Sequence, residues 1–182
     1  MKNSILFLLL VAVAACSSLK TSYDYDKQAD FTKYKTYNYT ADALSLPIQE
    51  LNRNRLLQAI DKEMTARGFT KAESGDVQVD LRVKAEQKRE ATATSSGTGM
   101  GYGGGWRYGY GGGFTTTQIN VNEFVEGTLF INLVDRATDK LVWSGRGTKV
   151  VDEDASPETR ERNIKEGVAA VFKNYPIKPT AK

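Results

Sequence analysis

A strict two-residue alternation runs through the middle of the chain. Val77, Val79, Leu81, Val83 and Ala85 alternate with Gln78, Asp80, Arg82, Lys84 and Glu86. Side chains on a strand point to opposite faces in turn, so this pattern predicts a strand with one buried and one wet face. Ile119, Val121, Val125, Leu129, Ile131 and Leu133 keep the same period through a second long strand. Asp135–Lys140 (DRATDK) reads as a turn, and Leu141–Val151 as the returning strand of a hairpin. Two shorter strands are expected earlier, at Leu19–Tyr25 and Thr36–Tyr39, separated by the polar, turn-rich Asp26–Lys35 around Phe31 and Tyr34. Gly127, Gly145 and Gly147 fall inside strands, where glycine is unfavourable unless it marks a bulge or close packing.

Elsewhere the apolar spacing changes to three and four. Leu56, Leu57, Ile60 and Met64 form one stripe in a helix predicted over Pro47–Arg67, with Pro47 in the first turn. Gly68 stands where a left-handed cap is wanted, and Phe69 follows it for the accompanying apolar contact. Ser156-Pro157-Glu158 opens a second helix with a capping hydroxyl, a first-turn proline and an acid at the positive end of the dipole. Ile164, Val168, Val171, Phe172 and Tyr175 make its apolar face, and Pro176 stops it. The order β-β-α-β-β-β-α predicts an α+β fold, a two-layer sandwich of a mainly antiparallel sheet with two helices on one face. Trp143, Leu129, Ile131, Val79 and Leu81 are expected to share the sheet face that packs on Ile60, Met64, Val168 and Phe172.

The first residues follow a different logic. Lys2, the apolar run Ile5–Val11 and the small residues of Val13-Ala14-Ala15-Cys16 have the order of a lipoprotein signal peptide. Ile5–Ala15 is too short to cross a bilayer, which takes about 20 apolar residues. The expected organisation is a signal peptide over 1–15, a lipid-attached tether over 16–18, one α+β domain over 19–176 and a flexible tail over 177–182. Cys16 is the expected lipidation site and the membrane the expected partner, through acyl chains on its sulfur and amine. Ser17 after the cysteine, in place of an acid, points to the outer membrane, with the domain facing the periplasm.

Composition narrows the chemistry. Loss of Lys2 with the leader takes the net charge from +3 to +2, with the charges interspersed, so a nucleic-acid partner is not expected. The chain has no histidine and only one cysteine, which removes His-based acid–base catalysis, His triads, thiol catalysis and a disulfide framework. No cofactor, metal site or catalytic residue is expected. Asp152-Glu153-Asp154 reads as a solvated turn before a helix, and Trp143 as core. Asp24 and Asp26 flank Tyr25 and would share a strand face, where they read as solvent-facing acids, with a glycosidase-type carboxylate pair as the alternative. The composition therefore favours a non-catalytic binding or structural module of the cell envelope. The alternative is a carboxylate-dependent hydrolase acting on envelope polymers.

One segment is of low complexity. Gly97–Phe114 (GTGMGYGGGWRYGYGGGF) lies between the two long strands, and glycine this dense disfavours helix and strand alike. It reads as a flexible hairpin tip. Tyr102, Trp106, Tyr108 and Tyr110 make it the candidate contact surface for an envelope protein, a glycan or the membrane interface, since these rings join an apolar body to a polar edge.

Tyr23-Asp24-Tyr25-Asp26, Ala29–Tyr37 (ADFTKYKTY), Gly127-Thr128-Leu129, Asp135, Leu141–Gly145 (LVWSG) and Val168–Pro176, with Cys16 ahead of them, resemble the DUF4136 family of bacterial lipoproteins. The resemblance runs from about Leu19 to Pro176. Tyr39 stands where that family often carries tryptophan, and the glycine-rich tip looks like an insertion. The resemblance implies an envelope lipoprotein and brings no catalytic residues with it. Because loop-closure entropy changes slowly with length, replacing residues 97–113 by a short turn is expected to leave urea-unfolding stability nearly unchanged.

Overall fold

The computed structural model describes residues 19–96 and 116–179. Cys16, the leader, and the tip with Tyr102, Trp106, Tyr108 and Tyr110 lie outside the described residues. The chain begins with strand β1 (Lys20–Tyr25), a 3-10 turn at Phe31–Lys33 and β2 (Thr36–Tyr39). Helices α1 (Ala41–Leu44) and α2 (Glu50–Ala66) follow, then the two-residue β3 (Thr70–Lys71). Next come β4 (Val77–Ser96), β5 (Thr116–Asp135), β6 (Lys140–Val151) and α3 (Pro157–Phe172). The strands form one sheet in the order β1-β6-β5-β4-β2-β3. The pairs β1–β6, β5–β6 and β4–β5 are antiparallel, while β2 runs parallel to β3 and β4. This is the expected α+β fold.

The alternation expected in β4 and β5 places their apolar residues in register. Val79 lies opposite Leu133 and Leu81 opposite Ile131, and on the other side of β5 Ile131 meets Gly145 and Leu133 meets Trp143. All of these are buried, together with Ile60, Met64, Val168 and Phe172, and Leu129 packs against them partly buried. Trp143 is fully enclosed: it stacks on Phe172 at 5.2 Å between ring centroids and meets Tyr175 edge-on at 5.3 Å. The glycine beside it explains how α3 comes so close. A Cβ at Gly145 would sit 2.4 Å from Trp143 Cη2 and 2.5 Å from Val171 Cγ1.

The helix ends follow their local chemistry, with two differences. Ser156 Oγ accepts the Thr159 N–H at 3.2 Å, and Gly68 takes φ +86° to end the α2 region, with the Phe69 N–H closing onto the Met64 carbonyl. Pro47, expected in the first turn, instead lies before α2 and outside it. The short α1 intervenes because Thr40 Oγ1 accepts the Ala43 N–H and starts a separate turn. Helix α3 ends at Phe172, before Tyr175, which is nevertheless buried. Ile177, at the start of the expected tail, is half-buried against the core.

The larger difference is strand length. β4 and β5 stay paired as far as Ser96 and Thr116, well past Glu86 and Ile119, where the alternation places their ends. β6 accompanies β5 only to Val125, and β2 accompanies β4 only to Val79. The hairpin therefore leaves the body as a two-stranded arm. Gln87–Ser96 (QKREATATSS) lacks buried apolar residues, so its sequence signal fades although its backbone remains paired.

Gly145→Ala forces its methyl into Trp143 and Val171, and a loss of roughly 1–3 kcal/mol in urea unfolding is expected for such overpacking. Gly167→Ala, where a Cβ meets nothing within 4 Å, is expected to raise stability by about 0.5–1 kcal/mol through helix propensity.

Candidate functional site

Where β5 and β6 leave the core, the two layers separate into an apolar cleft of about 720 Å³. The sheet supplies its floor through Val83, Leu129, Gly127, Gly147 and Val151. Pro47 and Ile48, before α2, and Leu56 within it form one wall, and Ile164, Gly167, Val168 and Val171 of α3 form the other. Leu19 closes one end: its Cδ1 lies 3.7 Å from where a Cβ on Gly147 would stand.

Three glycines hollow out this space, each inside a regular element where glycine is unfavourable. Gly127 and Gly147 are explained by crowding, since a Cβ would meet Val151 Cγ2 at 2.7 Å and Val171 Cγ2 at 2.9 Å respectively. Gly167 has no such reason. It lies in the interior of α3 with open space beyond its Cα. Its effect is to leave room in the cleft.

The ionisable groups lining the cleft are Lys84, Lys149, Asp152, Glu153 and Arg160, and none of them is buried. Lys149 Nζ donates to Asn163 Oδ1 at 3.0 Å, and the Arg160 guanidinium donates to the Glu153 carbonyl. The acidic run at the rim is held by turn chemistry, with Asp152 Oδ1 accepting the Asp154 N–H at 3.1 Å. Among the described residues no group of three or more His, Cys, Asp or Glu is placed to hold a metal ion.

The acids that sequence reasoning set aside for possible catalysis are not brought together. Asp24 Oδ1 accepts the neighbouring Tyr25 N–H, whereas Asp26 lies beyond the end of β1 and its Oδ1 accepts the Gln28 N–H. The two carboxylates therefore do not share a strand face, because the strand stops between them. Two carboxylates, the half-buried Asp61 and the buried Asp135, bind the fold together, and no such role was read for either in the sequence. Asp61 accepts the hydroxyls of Tyr37 and Tyr39, each at 2.7 Å, and pairs with Lys71. Asp135 accepts Lys33 Nζ at 2.8 Å and the Tyr34 hydroxyl at 2.7 Å on one oxygen, and the N–H groups of Ala137 and Thr138 on the other. The Lys33 ammonium, then the Tyr34 hydroxyl, hold the Asp135 carboxyl well below the usual carboxylate range against the opposing effect of burial. Its place as the first residue of the DRATDK turn, where an aspartate can receive the turn's N–H groups, and its place among the residues that carry the family resemblance both pointed to it.

Residues 21–177 match the family described as Domain of unknown function (DUF4136). No curated protein matches the chain. Among solved structures, the chain is similar to a PDZ domain protein from Parabacteroides distasonis, with 17% identity and a TM-score of 0.52 over 90% of this chain. The match spans 36% of that protein's length, and the likeness is one of fold. Two structures of the PelC dodecamer from Paraburkholderia phytofirmans match 85% of this chain and 95% of theirs, at 13% and 12% identity and TM-scores of 0.43 and 0.45.

A carboxylate whose folded pKa is depressed stabilises the fold above its unfolded value, near 3.9, and that contribution disappears as pH falls toward the folded value. Asp135→Asn is expected to lower stability at pH 7 by roughly 1.5–3 kcal/mol, the range for hydrogen bonds to a charged group. Urea melts repeated below about pH 4 are expected to show a shallower acid loss in the variant than in the parent.

Proposed function

The chain belongs to the DUF4136 family, and from that premise we propose that it is a lipid-anchored, non-catalytic binding module of the outer membrane, facing the periplasm. Cys16 carries the anchor, and the cleft between the helices and β5–β6 receives an apolar ligand. The observation that carries this reading is the cleft itself. It is apolar within and charged only at its rim, and it is kept open by Gly167, a helix-interior glycine that no packing requirement explains. Its volume lies within the range of small-molecule sites, roughly 300–1,000 Å³.

The leader supports the anchoring. Stable anchoring takes more than one acyl chain, and a lipidated amino-terminal cysteine carries several. Among the described residues no helix is long and apolar enough to cross a membrane, so Cys16 is the proposed attachment. The glycine- and aromatic-rich tip, with Tyr102, Trp106, Tyr108 and Tyr110, is a second proposed contact surface, for an envelope protein or glycan.

Two measurements test this reading. Cys16→Ala is expected to block maturation, and mass spectrometry of the parent is expected to find acyl groups on Cys16. An unmodified Cys16 in the membrane fraction would refute the anchor. The cleft is tested with 1-anilinonaphthalene-8-sulfonate, whose fluorescence rises on apolar binding. Gly167→Leu is expected to abolish that rise while the melting temperature holds or increases, since leucine favours a helix by about 0.8–1.0 kcal/mol over glycine. Undiminished dye binding in this variant would remove the cleft as the site.

A further inference from the structure

The arm and the start of β1 leave the domain at the same end. Lys20 pairs with Thr148, and Thr148 with Thr128, so the start of β1 lies level with Thr128 on β5. Moving from Tyr25 back to Lys20 follows the same direction along the sheet as moving from Thr128 toward Thr116, because β1 is antiparallel to β6 and β6 to β5. At about 3.3 Å per residue, Thr116 lies roughly 40 Å beyond that level. The link from Leu19 to Cys16 reaches at most about 11 Å, even fully extended. A bilayer that holds the acyl chains of Cys16 therefore meets the arm along its length and does not lie beyond its end.

The arm is built for such a surface. Ala91 pairs with Val121 and Ala93 with Ile119, two adjacent apolar rungs on one face. The rungs of the opposite face pair Glu90 with Asn122, Thr92 with Asn120 and Thr94 with Gln118. Ile119 and Val121 are 65% and 56% exposed, and nothing in the body covers them. Isolated exposed apolar residues are ordinary on soluble proteins. Here four share one face of a ribbon, and a two-stranded hairpin alone in water is only marginally stable. Closer to the body the same face carries the exposed Arg89–Glu123 ion pair, and Lys88 pairs with Glu126 across the other face. The charged section thus precedes the apolar one, as at the boundary between water and lipid.

We propose that the β4–β5 arm is a second membrane contact, lying in the bilayer interface with Ala91, Ala93, Ile119 and Val121 turned to the acyl region. This rests on Cys16 being the lipid anchor. With the anchor it fixes the orientation of the domain at two points, and it holds the cleft, which opens at that end, next to the lipid.

The mature, acylated chain has no free thiol, so single cysteines can be introduced and labelled with an environment-sensitive nitrobenzoxadiazole. The labelled proteins are reconstituted into phosphatidylethanolamine–phosphatidylglycerol vesicles, with and without bromine on the acyl chains. Labels at Ile119→Cys and Ala93→Cys are expected to emit at shorter wavelength and to be quenched by the brominated lipid. Labels at Asn120→Cys, on the polar face, and Thr138→Cys, at the far turn, are expected to stay unquenched. Replacing Ile119 and Val121 by Asn is expected to abolish the quenching at Ala93→Cys, while the protein still floats with the vesicles. Flotation with acylated Cys16 but no quenching at 93 or 119 would overturn the proposal and leave the anchor standing. A shorter-wavelength signal that ignores bromine and grows with the protein-to-lipid ratio would also overturn it, in favour of contact with a second copy. An unacylated Cys16 and no flotation would remove the anchor and the proposal with it.

Discussion

The close seating of α3 on β6 around Trp143 organises the rest of the molecule. Trp143 is wholly buried, stacked on Phe172 and edge-on to Tyr175, and Gly145 leaves the space that Val171 occupies above it. Aromatic contacts extend from this point, since Tyr175 also meets Phe31 and Phe69, and Phe69 meets Tyr37. The 3-10 turn, β2 and the end of α2 are thus joined to the end of α3 through ring edges. Such rings bury large areas and add about 0.5–1.5 kcal/mol per well-oriented pair.

A charged group completes the junction. Arg67, just past α2, is buried, and its guanidinium donates to the Phe172 carbonyl at 2.9 Å and to the Glu63 side chain. It is therefore a second donor to a carbonyl at the end of α3 that also accepts the Tyr175 N–H. The guanidinium also lies 5.2 Å from the Phe172 ring centroid. Asp61 and Asp135 serve the same end, the first drawing two tyrosine hydroxyls and a lysine to one place, the second one tyrosine hydroxyl and a lysine. Both carboxylates are structural ties.

Tight seating at one end leaves the layers apart at the other. Where Gly127, Gly147 and Gly167 present no side chain, the helices and sheet enclose the cleft. The antiparallel register carries the start of β1 and the outgoing arm to that same end. Cleft, arm and the start of β1 are therefore neighbours in space, although the sequence separates them widely.

What the sequence determined by itself was everything governed by neighbours a few residues apart. The alternation in Val77–Ala85 and Ile119–Leu133 established the two central strands and their buried face. The three-and-four spacing of Leu56, Ile60 and Met64 and the Ser156 cap established the helices, and the stretches around Phe31–Tyr37 and Trp143 already pointed to the family. The tertiary structure decided the rest. It extended the hairpin through Gln87–Ser96, because backbone pairing needs no apolar alternation. It separated Asp24 from Asp26, because β1 ends at Tyr25 and Asp26 starts a turn, accepting the Gln28 N–H on its side chain and the Ala29 N–H on its carbonyl. It placed Leu19 beside Gly147 and Gly167 across from the sheet, making a cleft from residues that no local pattern connects. Periodicity reports which face of an element is buried, but not what faces it. A cleft, a buried ion pair and the direction of an arm depend on how distant elements pack and pair.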